Sequence, residues 1–277
     1  IVGRIESLGS QATRFRTGDR VGIAWIYSAC GKCYFCRKGS ENLCPEFQGT
    51  GCQANGGYAQ YVVISEDFAY LIPGRFTDSQ AAPLLCAGVI GYRALKLSNL
   101  EDGQILGLFG FGASAHIVIQ VAKYKYPKGK VFVFTRPGQK EHQDLAKKLG
   151  ADWTGATGET PPAKLNCAID FTPVWQPIVE GLRVLEKGGR IVINAIRKEE
   201  VDKDSLLGLN YSSHLWQEKE IKSVANVTRK DAQDFLPLAA EIPITPEVQE
   251  FKLEEANEAL ILLKQGRIQG AAVLRMD

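Results

Sequence analysis

Ile105-Leu106-Gly107-Leu108-Phe109-Gly110-Phe111-Gly112-Ala113-Ser114-Ala115 is the stretch on which the reading of the fold turns. The apolar run 105–109 reads as a buried strand, and at Gly110 it gives way to a helical pattern over 113–124. Between them, Gly110 to Ala115 has the G-x-G-x-x-A form of a dinucleotide fingerprint. In that form Gly110 permits a tight turn, Gly112 lets a pyrophosphate approach the backbone, and Ala115 keeps helix and strand close. The helix N-terminus adds partial positive charge toward the phosphates. A glycine turn alone is a weak signal. Here it follows a strand and opens a helix, which is the context the motif requires.

The same alternation continues outward from that stretch. Residues 131–135 precede a helix at 140–149, residues 167–171 precede one at 175–185, and a strand at 190–194 follows. Such alternation builds a parallel, doubly wound Rossmann sheet, so the fold class is α/β, with this domain expected over 88–225. A strand at 220–225 is expected near one edge of the sheet. The candidate cofactor contacts are Gly110, Phe111, Gly112, Ala113 and Ala115 in the turn. Thr135 and Arg136 join them at the end of the second strand, and Phe171, Asn194 and Ala195 at the ends of later ones.

The second strand bears on which dinucleotide is bound. NAD sites usually place Asp or Glu at its end, to bind the ribose 2′-hydroxyl. This chain has Thr135-Arg136 there, and no carboxylate follows until Glu141. A hydroxyl and a guanidinium suit a 2′-phosphate, which a carboxylate would repel. The expectation is NADP(H) over NAD(H). The alternative for Arg136 is a solvated surface side chain.

Before residue 88 the pattern is different. Short β-rich runs at 1–9, 20–25 and 57–63, punctuated by glycine, suggest an irregular barrel-like domain. The tail, with a strand-like segment at 251–253 and a helix at 254–265, is expected to return to it, giving a domain of 1–87 and 226–277. Inside this region lie Cys30, Cys33, Cys36 and Cys44, a C-x2-C-x2-C-x7-C array in a chain with seven cysteines. No apolar element explains consecutive x2 gaps; they belong to a tight loop wrapped around a point. Four soft thiolates suit a closed tetrahedral zinc or an iron–sulfur cluster. Two disulfides are the other possibility, but they belong to short secreted chains.

Composition excludes little else. The 277 residues carry a net charge of +2 with no basic run, so nothing points to nucleic acid or a membrane surface. No apolar stretch approaches the length of a membrane span, nothing at the start resembles a signal peptide, and the cysteine usage suggests a reducing cytoplasm. The chain opens inside a strand-like run without Met, as a cut or incompletely recorded chain would.

Taken in order, the cysteine loop, Gly56-Gly57-Tyr58-Ala59, Leu85-Cys86-Ala87-Gly88, the Gly110 fingerprint and the segment 255–260 resemble the zinc-dependent medium-chain alcohol dehydrogenases. The bacterial branch similar to cinnamyl alcohol dehydrogenases resembles the chain most, over essentially its whole length. The resemblance implies a GroES-like catalytic domain in which Cys30, Cys33, Cys36 and Cys44 hold a structural zinc and Cys86 ligates a catalytic zinc. Without it, Cys86 would read as a buried structural thiol. It also implies a further cysteine and a Gly-His-Glu segment ahead of Ile1. Neither is found in this sequence, and His116, His142 and His214 match no ligand position. Ile90 stands where relatives often have Thr beside the nicotinamide, and Gly270-Ala271-Ala272-Val273 where many carry a Gly-Arg-x-Val run.

The implied reaction is hydride transfer between a primary alcohol or aldehyde and the nicotinamide, with zinc acting as Lewis acid on the oxygen. Trp25 is either a lining of the substrate channel or a packed aromatic. A homodimer or homotetramer is expected by analogy. The alternatives are a truncated, non-catalytic nucleotide-binding protein with a structural zinc only, and, ranked last, a zinc-free reductase of the same superfamily.

Overall fold

Frequent glycine keeps the strands of the N-terminal region short. The structure, a computed structural model, describes residues 1–268 and 270–276. The chain divides into two units, Ile1–Val89 with Val227 onward, and Ile90–Asn226.

In the first unit β1 (Val2–Arg4) and β5 (Ala69–Leu71) flank β2 (Arg20–Ile23) in an antiparallel sheet. A second ladder joins β3 (Ile26–Ser28) to β4 (Gln48–Gly49), and the single turn α1 (Tyr34–Arg37) lies between those two strands in the chain. The β-rich run at 57–63 forms no strand, contrary to its composition. Tyr58, Tyr61 and Val63 are 63%, 74% and 81% exposed. Strand preference is expressed only where the backbone finds a ladder and the side chains find a surface to cover, and this run has neither among the described residues.

Helix α2 (Asp78–Pro83) starts at a capping box, Thr77 Oγ1 accepting from the Gln80 amide while Gln80 Oε1 accepts from that of Thr77. Pro83 has no amide to donate back into the helix, and the chain widens after it into a π-helical turn, Leu84–Gly88. Helix α3 (Val89–Leu97) continues from there.

The second unit is a six-stranded parallel sheet. Its strands are β6 (Ile105–Phe109), β7 (Lys130–Thr135), β8 (Trp153–Ala156), β9 (Leu165–Asp170), β10 (Leu185–Ile193) and β11 (Glu220–Ser223). The order across the sheet is β11-β10-β9-β6-β7-β8, so the strand order reverses between β6 and β9. In open α/β sheets the crevice outside the strand ends at such a reversal is where ligands bind. Helices α4 (Ala115–Lys125), α5 (Lys140–Lys148) and α6 (Gln176–Val184) connect the strands. Helix α4 starts two residues later than the pattern suggests, because residues 110–114 are spent on the turn.

Burial on both faces explains the continuous apolar runs of β6, β7 and β9. Phe109 stacks on Phe134 at 4.3 Å between ring centroids, within a core that includes Leu165, Ile178, Leu182 and Ile191. The chain then returns to the first unit through α7 (Arg229–Glu241), β12 (Val248–Lys252), α8 (Ala256–Lys264) and β13 (Ala271–Arg275), with β12 parallel to β13. Among the described residues no helix is long and apolar enough to cross a membrane.

Candidate functional site

The four cysteines are brought together by local structure alone. Cys33 caps the turn α1, Cys36 lies within it, and Cys44 follows the short 3-10 turn Glu41–Leu43. All four sulfurs lie within 4.8 Å of one another, and those of Cys30 and Cys36 are 3.9 Å apart. Four thiolates around one zinc, each at about 2.3 Å, would stand about 3.8 Å apart. None of the four is in a disulfide. The donor set fits a closed, tetrahedral metal site.

Backbone amides point at these sulfurs. Cys44 Sγ accepts from the amides of Cys30 and Glu46 at 3.4 and 3.3 Å, and Cys30 Sγ from that of Cys33 at 3.4 Å. Such bonds favour the thiolate: the Lys32 amide first, and then that of Cys33, bring the Cys30 thiol down to about 7. Desolvation, then the neighbouring thiols, push Cys36 up to about 12. Four thiolates in so small a space repel one another, and a divalent cation removes that conflict.

One contact ties the lobe down. The carboxylate of Glu41 is buried, and its Oε1 accepts from both the backbone amide and Nε of Arg229, each at 2.9 Å. Arg229 is the first residue of α7, so the pair fastens the lobe to the start of that helix.

Cys86 sits in the π-helical turn. Leu84 and Leu85 are buried, while Cys86 itself is exposed. Nearby protein still displaces enough water to raise its thiol. Among the described residues, no second group of three or more potential ligands gathers around it. A catalytic zinc needs three protein ligands and an open position, and one thiol does not fit that requirement. The remaining cysteines are elsewhere, Cys167 buried in β9 and Cys52 exposed. Of the histidines, His116 Nδ1 lies 3.3 Å from the Gly112 carbonyl, and His214 Nδ1 accepts from the Asn210 amide at 3.0 Å. Trp25 is half-buried and stacks on Phe47 at 6.4 Å.

In the second unit the sequence candidates gather at the carboxyl ends of the strands. Gly110 takes a φ of +83°, open to glycine but costly for other residues, and its amide donates to the Phe134 carbonyl at 2.8 Å. A Cβ on Gly112 would meet nothing within 4 Å, so the turn leaves open space where a pyrophosphate would approach. Ala115 is fully buried, as close packing of helix on strand requires, and Phe111 is buried too, so it offers backbone rather than side chain. Phe171 and Ala195 are half-buried. Asn194 is 8% exposed and its Oδ1 has no hydrogen-bond partner. A buried orphan acceptor beside strand ends is the kind of group a ligand satisfies. These residues fit a dinucleotide.

Thr135 and Arg136 part company. The Thr135 side chain is buried, its hydroxyl donating to the Arg136 carbonyl at 3.2 Å and accepting from Gln143 Nε2 at 3.0 Å. Arg136 is exposed. At this strand end the guanidinium, and not the hydroxyl, is available to a ligand.

Three residues at the crevice carried no signal in the motifs. The Asp170 carboxylate, fully buried at the end of β9, is paired with the ammonium of Lys198. It also accepts from the hydroxyl of Thr172 at 2.7 Å. Burial raises the Asp170 carboxyl, and Lys198 opposes that shift.

Comparison with known proteins bears on the family and the fold. Residues 1–74 match the family described as Alcohol dehydrogenase GroES-like domain. A Mycobacterium tuberculosis protein described as "Probable alcohol dehydrogenase AdhA" is 42% identical over 99% of this chain and 78% of its own length. An alcohol dehydrogenase of Geobacillus stearothermophilus is 32% identical over 100% of this chain and 81% of its own. Among solved structures, a cinnamyl alcohol dehydrogenase from Sorghum bicolor superposes with a TM-score of 0.83 at 26% identity, covering 99% of this chain and 79% of that one.

Proposed function

This chain belongs to the zinc-dependent medium-chain alcohol dehydrogenase family, and from that premise we propose that it moves a hydride between a small primary alcohol or its aldehyde and a nicotinamide cofactor, NADP(H) in preference to NAD(H). The observation that carries the reading is the Gly110–Ala115 turn opening a parallel sheet at its point of strand reversal, with the exposed Arg136 at the next strand end. The backbone of Gly110, Phe111, Gly112 and Ala113 and the start of α4 bind the pyrophosphate, with Ala115 holding helix to strand. Arg136 binds the 2′-phosphate as a charged donor. Phe171, Asn194 and Ala195 line the remainder of the crevice, Asn194 offering its free Oδ1 to a donor on the ligand. When bound, the nicotinamide supplies the hydride acceptor or donor.

Cys30, Cys33, Cys36 and Cys44 hold the structural zinc, whose contribution is a cross-link within the lobe. Cys86 is assigned one position in the catalytic zinc sphere. Among the described residues no group of three potential ligands forms around it, so no step of the reaction is derived through that metal. Trp25, already stacked on Phe47, is assigned to packing before substrate selection. A reducing cytoplasm, which keeps four thiols available to metal, and a homodimer or homotetramer complete the reading.

The test is NADP-dependent oxidation of a primary alcohol by the zinc-loaded protein, with and without a strong chelator. Turnover abolished by the chelator supports the dehydrogenase. The alternative reading is a nucleotide-binding protein without catalysis, with zinc only in the cysteine lobe. Cofactor binding without turnover at any zinc level would select it.

A further inference from the structure

A buried cation lies at the strand reversal, outside every motif. The Lys198 side chain is 9% exposed and faces the fully buried carboxylate of Asp170. Its ammonium has three donors and finds three acceptors: Asp170 Oδ2, the Thr172 carbonyl at 2.9 Å and the Val174 carbonyl at 2.6 Å. Lys198 belongs to the segment that leaves β10, and its acceptors are Asp170, the last residue of β9, and Thr172 and Val174 in the segment that follows it. Three further bonds strap the same segments together. The Glu199 amide donates to the Pro173 carbonyl at 2.7 Å, and the Asp202 carboxylate accepts from the amides of Trp175 and Gln176, both within 2.8 Å.

From Asp170 the contacts run on to the fingerprint. Phe109 stands opposite Asp170 across the β6–β9 ladder, and the Phe171 amide donates to the Phe109 carbonyl at 2.9 Å. Thr172, whose hydroxyl donates to Asp170 Oδ1 at 2.7 Å, packs so close to the turn that a Cβ on Gly110 would lie 2.9 Å from its Cγ2. Asn194, whose Oδ1 is the orphan acceptor, directly follows β10 and leads into the Lys198 segment, and its amide donates to the Asp170 carbonyl at 2.8 Å. Lys198, Asp170, Thr172 and Gly110 therefore form one unbroken series of contacts.

We propose that Lys198 is a positioning residue for the dinucleotide, holding the segment after β10 against the segment after β9 and, through Asp170 and Thr172, fixing the Gly110 turn. This rests on the reading of that turn as the cofactor site. A buried ion pair adds little net stability over apolar packing, yet removing one partner strands the other charge, so the two contributions must be measured apart. Lys198→Met removes the ammonium and keeps the stem. Asp170→Asn combined with Lys198→Met removes both charges and keeps an acceptor for Thr172, so that what it lacks is the clamp on the Thr172 and Val174 carbonyls.

The experiment titrates NADPH and NADH into zinc-loaded wild type and both variants, following protein fluorescence, and measures each melting temperature. Lys198→Met is expected to raise the cofactor Kd about tenfold or more and to lower the melting temperature. The double variant should recover the melting temperature while its Kd stays raised. A folded Lys198→Met protein with wild-type Kd overturns the proposal, as does a double variant in which affinity and melting temperature recover together. Should Lys198→Met fail to fold, the double variant decides. Wild type binding neither dinucleotide would overturn the cofactor reading itself, and this proposal with it.

Discussion

The cysteine lobe and the parallel sheet are held by opposite means. Between Cys30 and Cys44 the buried side chains are Cys36, Glu41 and Cys44: two potential metal ligands and one carboxylate. The sheet buries Phe109, Phe134, Leu165, Leu182 and Ile191 in a single cluster. The first region has no apolar core of its own and depends on what its sulfurs bind. The second depends on area removed from water, with stacked aromatic rings at its centre. Metal and denaturant should therefore act on different parts of one chain.

The largest effect is expected at the lobe. Cys44→Ala should abolish its metal binding, and in small zinc folds the metal contributes on the order of 10 kcal/mol of folding free energy. Metal analysis should find that zinc lost, and limited proteolysis should find new cuts near residues 30–47. The far-ultraviolet signal of the sheet should persist; its collapse would break the comparison. Next comes Phe134→Ala, which leaves a large void beside Phe109 and Trp153. It should cost about 3–5 kcal/mol, read as a lower denaturant midpoint with lobe zinc retained. Arg229→Met sharpens the contrast at a smaller scale. It strands the buried carboxylate of Glu41, and because Arg229 is itself partly exposed the cost should be about 2 kcal/mol. Zinc release from that variant should be faster than from wild type.

The two regions were also legible in the sequence to different degrees. The lobe was legible because metal ligation is local: the spacing of Cys30, Cys33, Cys36 and Cys44 needs no partner elsewhere. The sheet was legible because strand, glycine turn and helix follow one another within residues 105–125. Long-range polar pairing left no such trace. Glu41 and Arg229 are 188 positions apart and Asp170 and Lys198 are 28 apart, and nothing in a charged residue's neighbours announces that it will be buried. The run 57–63 misled because strand composition cannot say whether a pairing edge exists. Thr135 misled in another way: its hydroxyl suits a phosphate, but its side chain turns inward to Gln143.

Arg136 is then the residue on which the cofactor reading rests most narrowly. The most direct measurement is the pair of dissociation constants for NADPH and NADH, in wild type and in Arg136→Glu. Wild type should bind NADPH about tenfold or more tightly than NADH, and the substitution should abolish or invert that preference. A wild type that binds NADH as tightly as NADPH, or a preference that survives the substitution, would contradict the account.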